Sequence, residues 1–250
     1  LDLGKVNEGL LELDRRRFSV RRVVEDALAM VAMAAHGKDL ELTHLLAEDV
    51  PEEVWGDDAR LRQVLVALLG NAVKFTARGR VGLRVAYDIP DPHHGRLRFE
   101  VEDTGPGIDP ALHPALFDPF FQADDSSTRD YGGAGLGLTL ARGLIERMGG
   151  GVSVESALGR GSTFRFDVLV DPTPELPIAR PFEGFTADVR ADSPSMKATL
   201  TAQLVALGFT PVGTTDRGRP DLCVVEGLGI ASSDARARIR LVTPHMTLER

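Results

Sequence analysis

The sequence predicts an α/β protein in two parts, on three observations. The glycine cluster at Gly132 opens the run GGAGLGLTLARGLIERMGGG and leads straight into an amphipathic helix. Alternating apolar stretches at Val81–Ile89, Leu97–Glu102, Val152–Glu155 and Ser162–Val170 read as strands between helical patterns. Asp171-Pro172-Thr173-Pro174-Glu175-Leu176-Pro177 is a stiff, extended linker. After it, a strand at Phe185–Val189, a helix at Ser195–Leu207 and strands at Leu222–Val225 and Ile239–Val242 repeat the β-α-β order of a parallel sheet.

Composition narrows the function classes. The 250 residues are 43% hydrophobic, enough for one full domain and part of another. No apolar run approaches the roughly 18 residues of a membrane span, and no export signal opens the chain. A net charge of −8 argues against general nucleic-acid binding, which needs a basic surface. The single cysteine, Cys223, excludes an intrachain disulfide and fits a reducing, cytoplasmic setting.

The first elements follow from periodicity and caps. Leu3, Val6, Leu10 and Leu13 recur at helical spacing, so residues 1–14 read as the tail of a helix that continues upstream. Ser19 is placed to cap a second helix with Val23, Val24, Ala27, Leu28 and Val31 on its apolar face and Gly37 as its stop. Leu40–Leu46 resembles a strand. Asp57 or Asp58 then opens a third helix through Lys74, with Leu61, Val64, Leu65, Leu68, Leu69 and Val73 facing a core. The long stretch Ile108–Tyr131, rich in prolines and aromatics, suits a lid.

Three groups of residues carry the chemistry. Asn71 and Lys74 project from one side of the third helix, an amide oxygen suited to Mg²⁺ beside a point charge for phosphate. Asp103 ends a strand just before Gly105 and Gly107, so a carboxylate sits where glycines leave room for a flat ring. The exocyclic amine of adenine donates to a carboxylate, whereas guanine presents a carbonyl there. Gly132, Gly133, Gly135 and Gly137 lack a Cβ, and the N–H groups of the helix that follows face any docked anion.

In this order the motifs resemble the ATP-binding catalytic domain of sensor histidine kinases, within the GHKL ATPase superfamily, over roughly residues 15–170. RLRQVLVALLGNAVKFT is similar to the N box, DTGPGI to the first glycine box, LFDPFFQAD to the F box, GGAGLGL to the second glycine box and GRGSTF to the last glycine-containing turn into a strand. The resemblance implies a GHKL-type α/β sandwich, a mixed sheet covered by helices. It implies that Asn71 holds Mg²⁺, Lys74 meets phosphate and Asp103 reads adenine beside Gly105, Gly107, Ile108 and Thr163. It further implies phosphate-binding backbone at Gly133, Gly135, Leu136 and Gly137, with Arg129 as the lid's basic residue near the γ-phosphate.

Two departures bear on activity. Ala67 stands four residues before Asn71, where hydrolytic relatives carry a catalytic Glu, so no base there activates water. The six histidines, His36, His44, His93, His94, His113 and His245, all lack the H-[ED]-x-x-x-P context of a phosphoacceptor. The acceptor is therefore expected upstream, on a helical dimerization domain whose end is residues 1–14, in a protein that is a homodimer. A pseudokinase that uses nucleotide only for regulation, and a GHKL ATPase, stay open as alternatives.

The division expected is a catalytic domain at 15–171, a Pro-rich linker at 172–183 and an incomplete domain at 184–250. The last resembles a receiver of the flavodoxin-like fold, altered at its active positions. Ala191-Asp192 replaces the acidic pair, Glu226 stands where the phosphoacceptor Asp belongs, and Gly213–Pro220 is short for the second helix. This pseudo-receiver is expected to regulate rather than relay phosphate, leaving phosphotransfer to a separate downstream receiver or response regulator. Arg180, Arg190, Arg217 and Arg219 suggest an anionic messenger such as cyclic di-GMP.

Overall fold

The computed structural model describes residues 11–47, 49–91, 94–121, 135–172, 182–191, 193–213, 220–226 and 237–241. The chain divides into two compact units, Leu1–Glu175 and Leu176–Arg250.

In the first unit, apolar periodicity and side-chain caps define the helices. α1 (Val20–His36) begins where Ser19 Oγ accepts the Arg22 N–H at 3.3 Å. It buries Val20, Val23, Val24, Ala27, Leu28 and Val31, and ends at Gly37. α2 (Asp58–Phe75) is capped by Asp57, whose two oxygens accept the N–H groups of Arg60 and Asp14, each at 3.0 Å. One carboxylate thus starts the helix and pins the incoming chain. α2 buries Leu61, Val64, Leu65, Leu68, Leu69, Ala72 and Val73, and α3 (Gly137–Arg147) packs beside it through Ala141, Leu144 and Ile145.

The strands are β1 (Arg16–Ser19), β2 (Glu41–Leu46), β3 (Glu53–Gly56), β4 (Arg80–Asp91), β5 (His94–Asp103), β6 (Val152–Ser156) and β7 (Ser162–Pro172). They form one mixed sheet in the order β1-β3-β7-β5-β4-β2, with β6 also paired to β7 and only β2–β4 parallel. Alternation along β5 sorts its residues by face. Leu97, Phe99 and Val101 point into the core, where Phe99 stacks on Phe166 with ring centroids 4.7 Å apart. Arg96, Arg98, Glu100 and Glu102 point the other way. That outer face carries a ladder of ion pairs, among them Arg84–Glu100 at 2.7 Å, Arg165–Glu100 at 2.8 Å and Arg80–Glu102 at 2.8 Å. The helices therefore cover one face of the sheet and charge covers the other.

Most expected elements form within a few residues of their sequence positions. In the first unit, β1 and β3 have no sequence counterpart: each is four residues long, and they pair antiparallel to each other. The expected helix at residues 1–14 lies mostly outside the described residues, and residues 11–14 within it are not helical.

The second unit has β8 (Thr186–Arg190), α4 (Pro194–Ala206), β9 (Thr210–Pro211), β10 (Leu222–Glu226) and β11 (Ala237–Leu241). All its strand pairs are parallel, in the order β11-β10-β8-β9. Ala187, Val189, Phe209, Leu222 and Val224 form its core, and Cys223 is buried.

The two faces of β5 should respond differently to truncation. Phe99→Ala is expected to cost about 3–5 kcal/mol by urea denaturation, because it leaves a cavity against Phe166. Arg98→Ala, on the charged face, should cost no more than about 1 kcal/mol.

Candidate functional site

The site begins at the C-terminal turn of α2. The core face of the helix is fixed by Leu65, Leu68, Leu69 and Val73, and this leaves Asn71 and Lys74 half-buried along its other side. Lys74 Nζ lies 4.8 Å from the ring centroid of the exposed Phe75. Ala67 packs against the core one turn earlier, so no acid or base stands at that position.

Asp103 closes β5 on its inner face and is buried. Its register partner on β7 is Ser162, whose backbone N–H and hydroxyl both bond its carboxylate, while Oδ1 accepts the Gly105 N–H at 2.8 Å. Burial pushes the carboxyl above the ordinary aspartate range, and these hydrogen bonds only partly offset it. Next to it is Thr76, wholly buried, with a hydroxyl that has no hydrogen-bond partner among the described residues. A Cβ on Gly105 would lie 2.9 Å from Asp103 Oδ1 and 3.2 Å from both Thr76 Oγ1 and the Phe75 carbonyl oxygen. Gly105 thus keeps open a niche edged by a carboxylate and an unsatisfied hydroxyl. Thr76 was not singled out in the sequence; its place directly after the Asn71–Lys74 turn was the available signal.

The first glycine-rich turn adjoins this niche, since a Cβ on Gly161 would lie 2.0 Å from the Asp103 carbonyl oxygen and one on Gly107 3.2 Å from the Gly161 carbonyl oxygen. Gly107 has φ 72°, and a Cβ there would lie 2.0 Å from the Ala157 carbonyl oxygen. The same loop is tied down by Ile108 N–H to Ser156 Oγ at 2.8 Å and Gly159 N–H to the Pro106 carbonyl at 2.6 Å. At the second turn Gly135 has φ 69° and its carbonyl accepts the Phe120 N–H at 3.2 Å. Leu136 is the N-cap of α3 and makes no side-chain cap bond, so the first N–H groups of the helix carry no such partner. Thr139, in that first turn, also has a buried, unpartnered hydroxyl. Gly137 faces open space. Arg129, Gly132 and Gly133 lie outside the described residues.

Thr163 is a correction. It follows Ser162 in β7 and so faces the opposite side of the sheet, in register with Glu102 and Glu155. Ser162, not Thr163, meets Asp103. A concavity of about 660 Å³ on that outer face is lined by Arg84, Glu100 and Arg165, whose charges are already paired, and it lies across the sheet from Asp103. Among the described residues no group of three His, Cys, Asp or Glu side chains is placed to hold a metal. The available donor is the neutral amide of Asn71, which fits Mg²⁺ that is shared with phosphate oxygens and water.

Residues 56–172 match the family model described as "Histidine kinase-, DNA gyrase B-, and HSP90-like ATPase". That match falls within the first unit. The chain is 44% identical over 164 residues to the sensor protein GacS of Pseudomonas syringae, covering 66% of this chain and 18% of that protein. It is 38% identical over 181 residues to the signal transduction histidine-protein kinase BarA of Escherichia coli, covering 72% of this chain and 20% of that protein. The chain thus spans about a fifth of the length of these curated relatives. Among solved structures, full-length ShkA in complex with AMPPNP superposes with a TM-score of 0.74 at 28% identity, over 90% of this chain and 47% of that one. That span is longer than the first unit alone. The mycobacterial sensor histidine kinase MprB matches 64% of this chain and 100% of its own, with a TM-score of 0.51 at 27% identity.

The arginines read as ligands for cyclic di-GMP gain no support. Arg190 Nε is paired with Asp188 Oδ2 at 2.7 Å, and Arg180, Arg217 and Arg219 lie outside the described residues.

The two glycines should separate in stability. Gly107→Ala forces a Cβ onto a backbone oxygen at positive φ, so a loss of at least about 1–3 kcal/mol is expected in chemical denaturation. Gly137→Ala, at a helical position with open space, should leave stability unchanged or raise it by up to about 1 kcal/mol.

Proposed function

We propose that the first unit is the ATP-binding catalytic part of a hybrid histidine kinase, which transfers the γ-phosphoryl group of ATP to a histidine on a dimerization domain outside this chain. The observation that carries the reading is the niche at Asp103, Gly105 and Thr76, which offers a buried carboxylate and an unsatisfied hydroxyl beside the helix that bears Asn71 and Lys74. Asp103 accepts the exocyclic amine of adenine. The Gly135–Gly137 turn and the uncapped start of α3 present N–H donors to the phosphates, and Lys74 adds charge. Mg²⁺, when bound, neutralises phosphate charge, with Asn71 as its protein donor. Transfer breaks the bond between the γ-phosphorus and the bridging oxygen of ADP and forms a phosphorus–nitrogen bond to the imidazole, so catalysis is chiefly positioning. Arg129 at the γ-phosphate and Gly133 in the phosphate cradle complete the proposed site.

The second unit is read as a pseudo-receiver. In chain order its strands lie 2-1-3-4, the order of flavodoxin-like doubly wound sheets, and β10 ends at Glu226 where a receiver's phosphoacceptor Asp belongs. The proposed boundaries are 15–171 for the catalytic domain, 172–183 for the linker and 184–250 for the pseudo-receiver. The proposed setting is the cytoplasmic side of a homodimeric protein, passing phosphate to a separate receiver or response regulator.

Ala67 favours a second reading, a nucleotide-sensing pseudokinase. Supplying a dimerization domain in trans with labelled ATP separates the two, because labelled histidine means kinase and binding without transfer means sensor. A GHKL ATPase would instead release phosphate without that domain.

Calorimetric titration tests the niche first. ADP should bind and GDP should not, and Asp103→Ala should weaken ADP by at least about tenfold, the loss of a hydrogen bond to a charged group. An Asp103→Ala protein that binds ADP as well as the parent would overturn the assignment. The adenine amine needs the ionised carboxylate, and burial raises the pKa of that group. ADP affinity should therefore fall as pH is lowered, starting at a higher pH than an ordinary aspartate would produce. The same shift acts oppositely on the empty fold. Its cost at neutral pH is relieved as pH falls through the raised pKa, so Asp103→Asn should stabilise the nucleotide-free protein most at neutral pH.

A further inference from the structure

Lys38 lies just beyond the end of α1, far from the nucleotide motifs in sequence, yet its ammonium reaches the end of the helix that carries two of them. Nζ donates to the carbonyl oxygens of Val73 at 2.8 Å, Lys74 at 2.7 Å and Thr76 at 3.3 Å. An ammonium has three N–H groups, enough to donate to each of these carbonyls. An α-helix leaves its last four carbonyls without intrahelical donors, so Lys38 satisfies three of the four at the end of α2. Its charge also sits at the negative end of the helix dipole.

The backbone around Lys38 is held for this reach. The Gly37 N–H bonds the Met33 carbonyl at 3.0 Å, and the Leu40 N–H bonds the Ala35 carbonyl at 3.0 Å. Between them Asp39 takes the left-handed conformation, φ 52°, that closes a helix end. Next in the chain, the Glu41 N–H bonds the Gly79 carbonyl at 2.9 Å, which places β2 beside β4. The lysine is thus anchored on both sides of its own turn.

We infer that Lys38 is a positioning residue for the nucleotide site. It touches no proposed ligand. It fixes the last turn of α2, so that the Asn71 amide and the Lys74 ammonium, the two groups proposed for Mg²⁺ and phosphate, hold one arrangement relative to Asp103. The inference rests on the nucleotide reading given above. Val73 is buried on the same turn, so its core packing holds one side of the turn while Lys38 holds the other. Without the ammonium, three carbonyls at the helix end lose their donor, and the turn's polar side is the part free to loosen.

The test compares Lys38→Met, which keeps the reach and removes the charge, with Lys38→Arg, which keeps the charge. Calorimetry with Mg·ADP and with adenosine is run on both variants and the parent, at a temperature where circular dichroism shows each to be folded. Lys38→Met is expected to weaken Mg·ADP by about tenfold, in line with lost charged hydrogen bonds, and to weaken adenosine much less. Lys38→Arg should recover most of the difference. A merely structural role would lower the melting temperature and leave the ratio of the two affinities unchanged, and that result would overturn the inference. Should Lys38→Met not fold, Lys38→Gln, with two donors in place of three, is judged by the same ratio. Failure of the parent to bind Mg·ADP would instead refute the nucleotide reading itself.

Discussion

The register of β5 against β7 is the constraint on which the rest of the first unit depends. It places Phe99 opposite Phe166 and Asp103 opposite Ser162, so one set of alternate residues builds both the core and the niche. Side chains alternate faces with a period of two, and a slip of one residue would turn Asp103 out among Arg and Glu side chains and bring Glu102 inward. Burial of Phe99 and Val101 makes that slip costly. The carboxylate is therefore held by packing some residues away from it, which is how a fold can keep a charged group where solvent would not leave it.

The outer face uses the same alternation for another end. Burial raises the pKa of Glu100, but hydrogen bonds from Arg165 and Arg84 outweigh it and leave the carboxyl below the ordinary range. A depressed carboxylate pKa contributes stability above the unfolded value and loses it as pH falls through the folded one. Asp103 has the opposite sign, because its partners are uncharged donors and burial wins. Acid thus weakens the charged face and relaxes the niche. The two faces of β5 separate cross-strand ion pairing from the buried carboxylate of the proposed niche, with the strand as their common part.

What the sequence made legible followed from how local each signal was. α1 and α2 were readable because apolar residues recur on one face and Ser19 and Asp57 sit three residues before the N–H groups their side chains accept. β1 and β3 were not, since four residues carry no periodicity and each strand exists through its partner. Asp103 was readable from its place before two glycines, whereas the choice between Ser162 and Thr163 needed the register. In GSTF either residue could face inward until Phe164 and Phe166 are known to be buried. Lys38 left no local trace because its partners are backbone carbonyls 35 to 38 residues away, and a carbonyl has no residue type to recognise.

These cases point to one division of labour in the site. Groups proposed to meet a ligand, such as Asp103 and Lys74, stand in motifs because that chemistry demands a residue type at a fixed spacing. Groups that hold those residues in place are free of that demand. Ser162 acts through a hydroxyl and an amide, Lys38 through any three accessible carbonyls, and Asp57 through whichever N–H groups arrive at its two oxygens. The turn from Asn71 to Thr76 shows why both are required. Its core side is fixed by Val73 and its polar side carries the groups proposed for the ligand, so a donor from another element is needed to keep the polar side from fraying. The geometry of the niche is thus a property of α1's end as much as of α2, although no motif connects them.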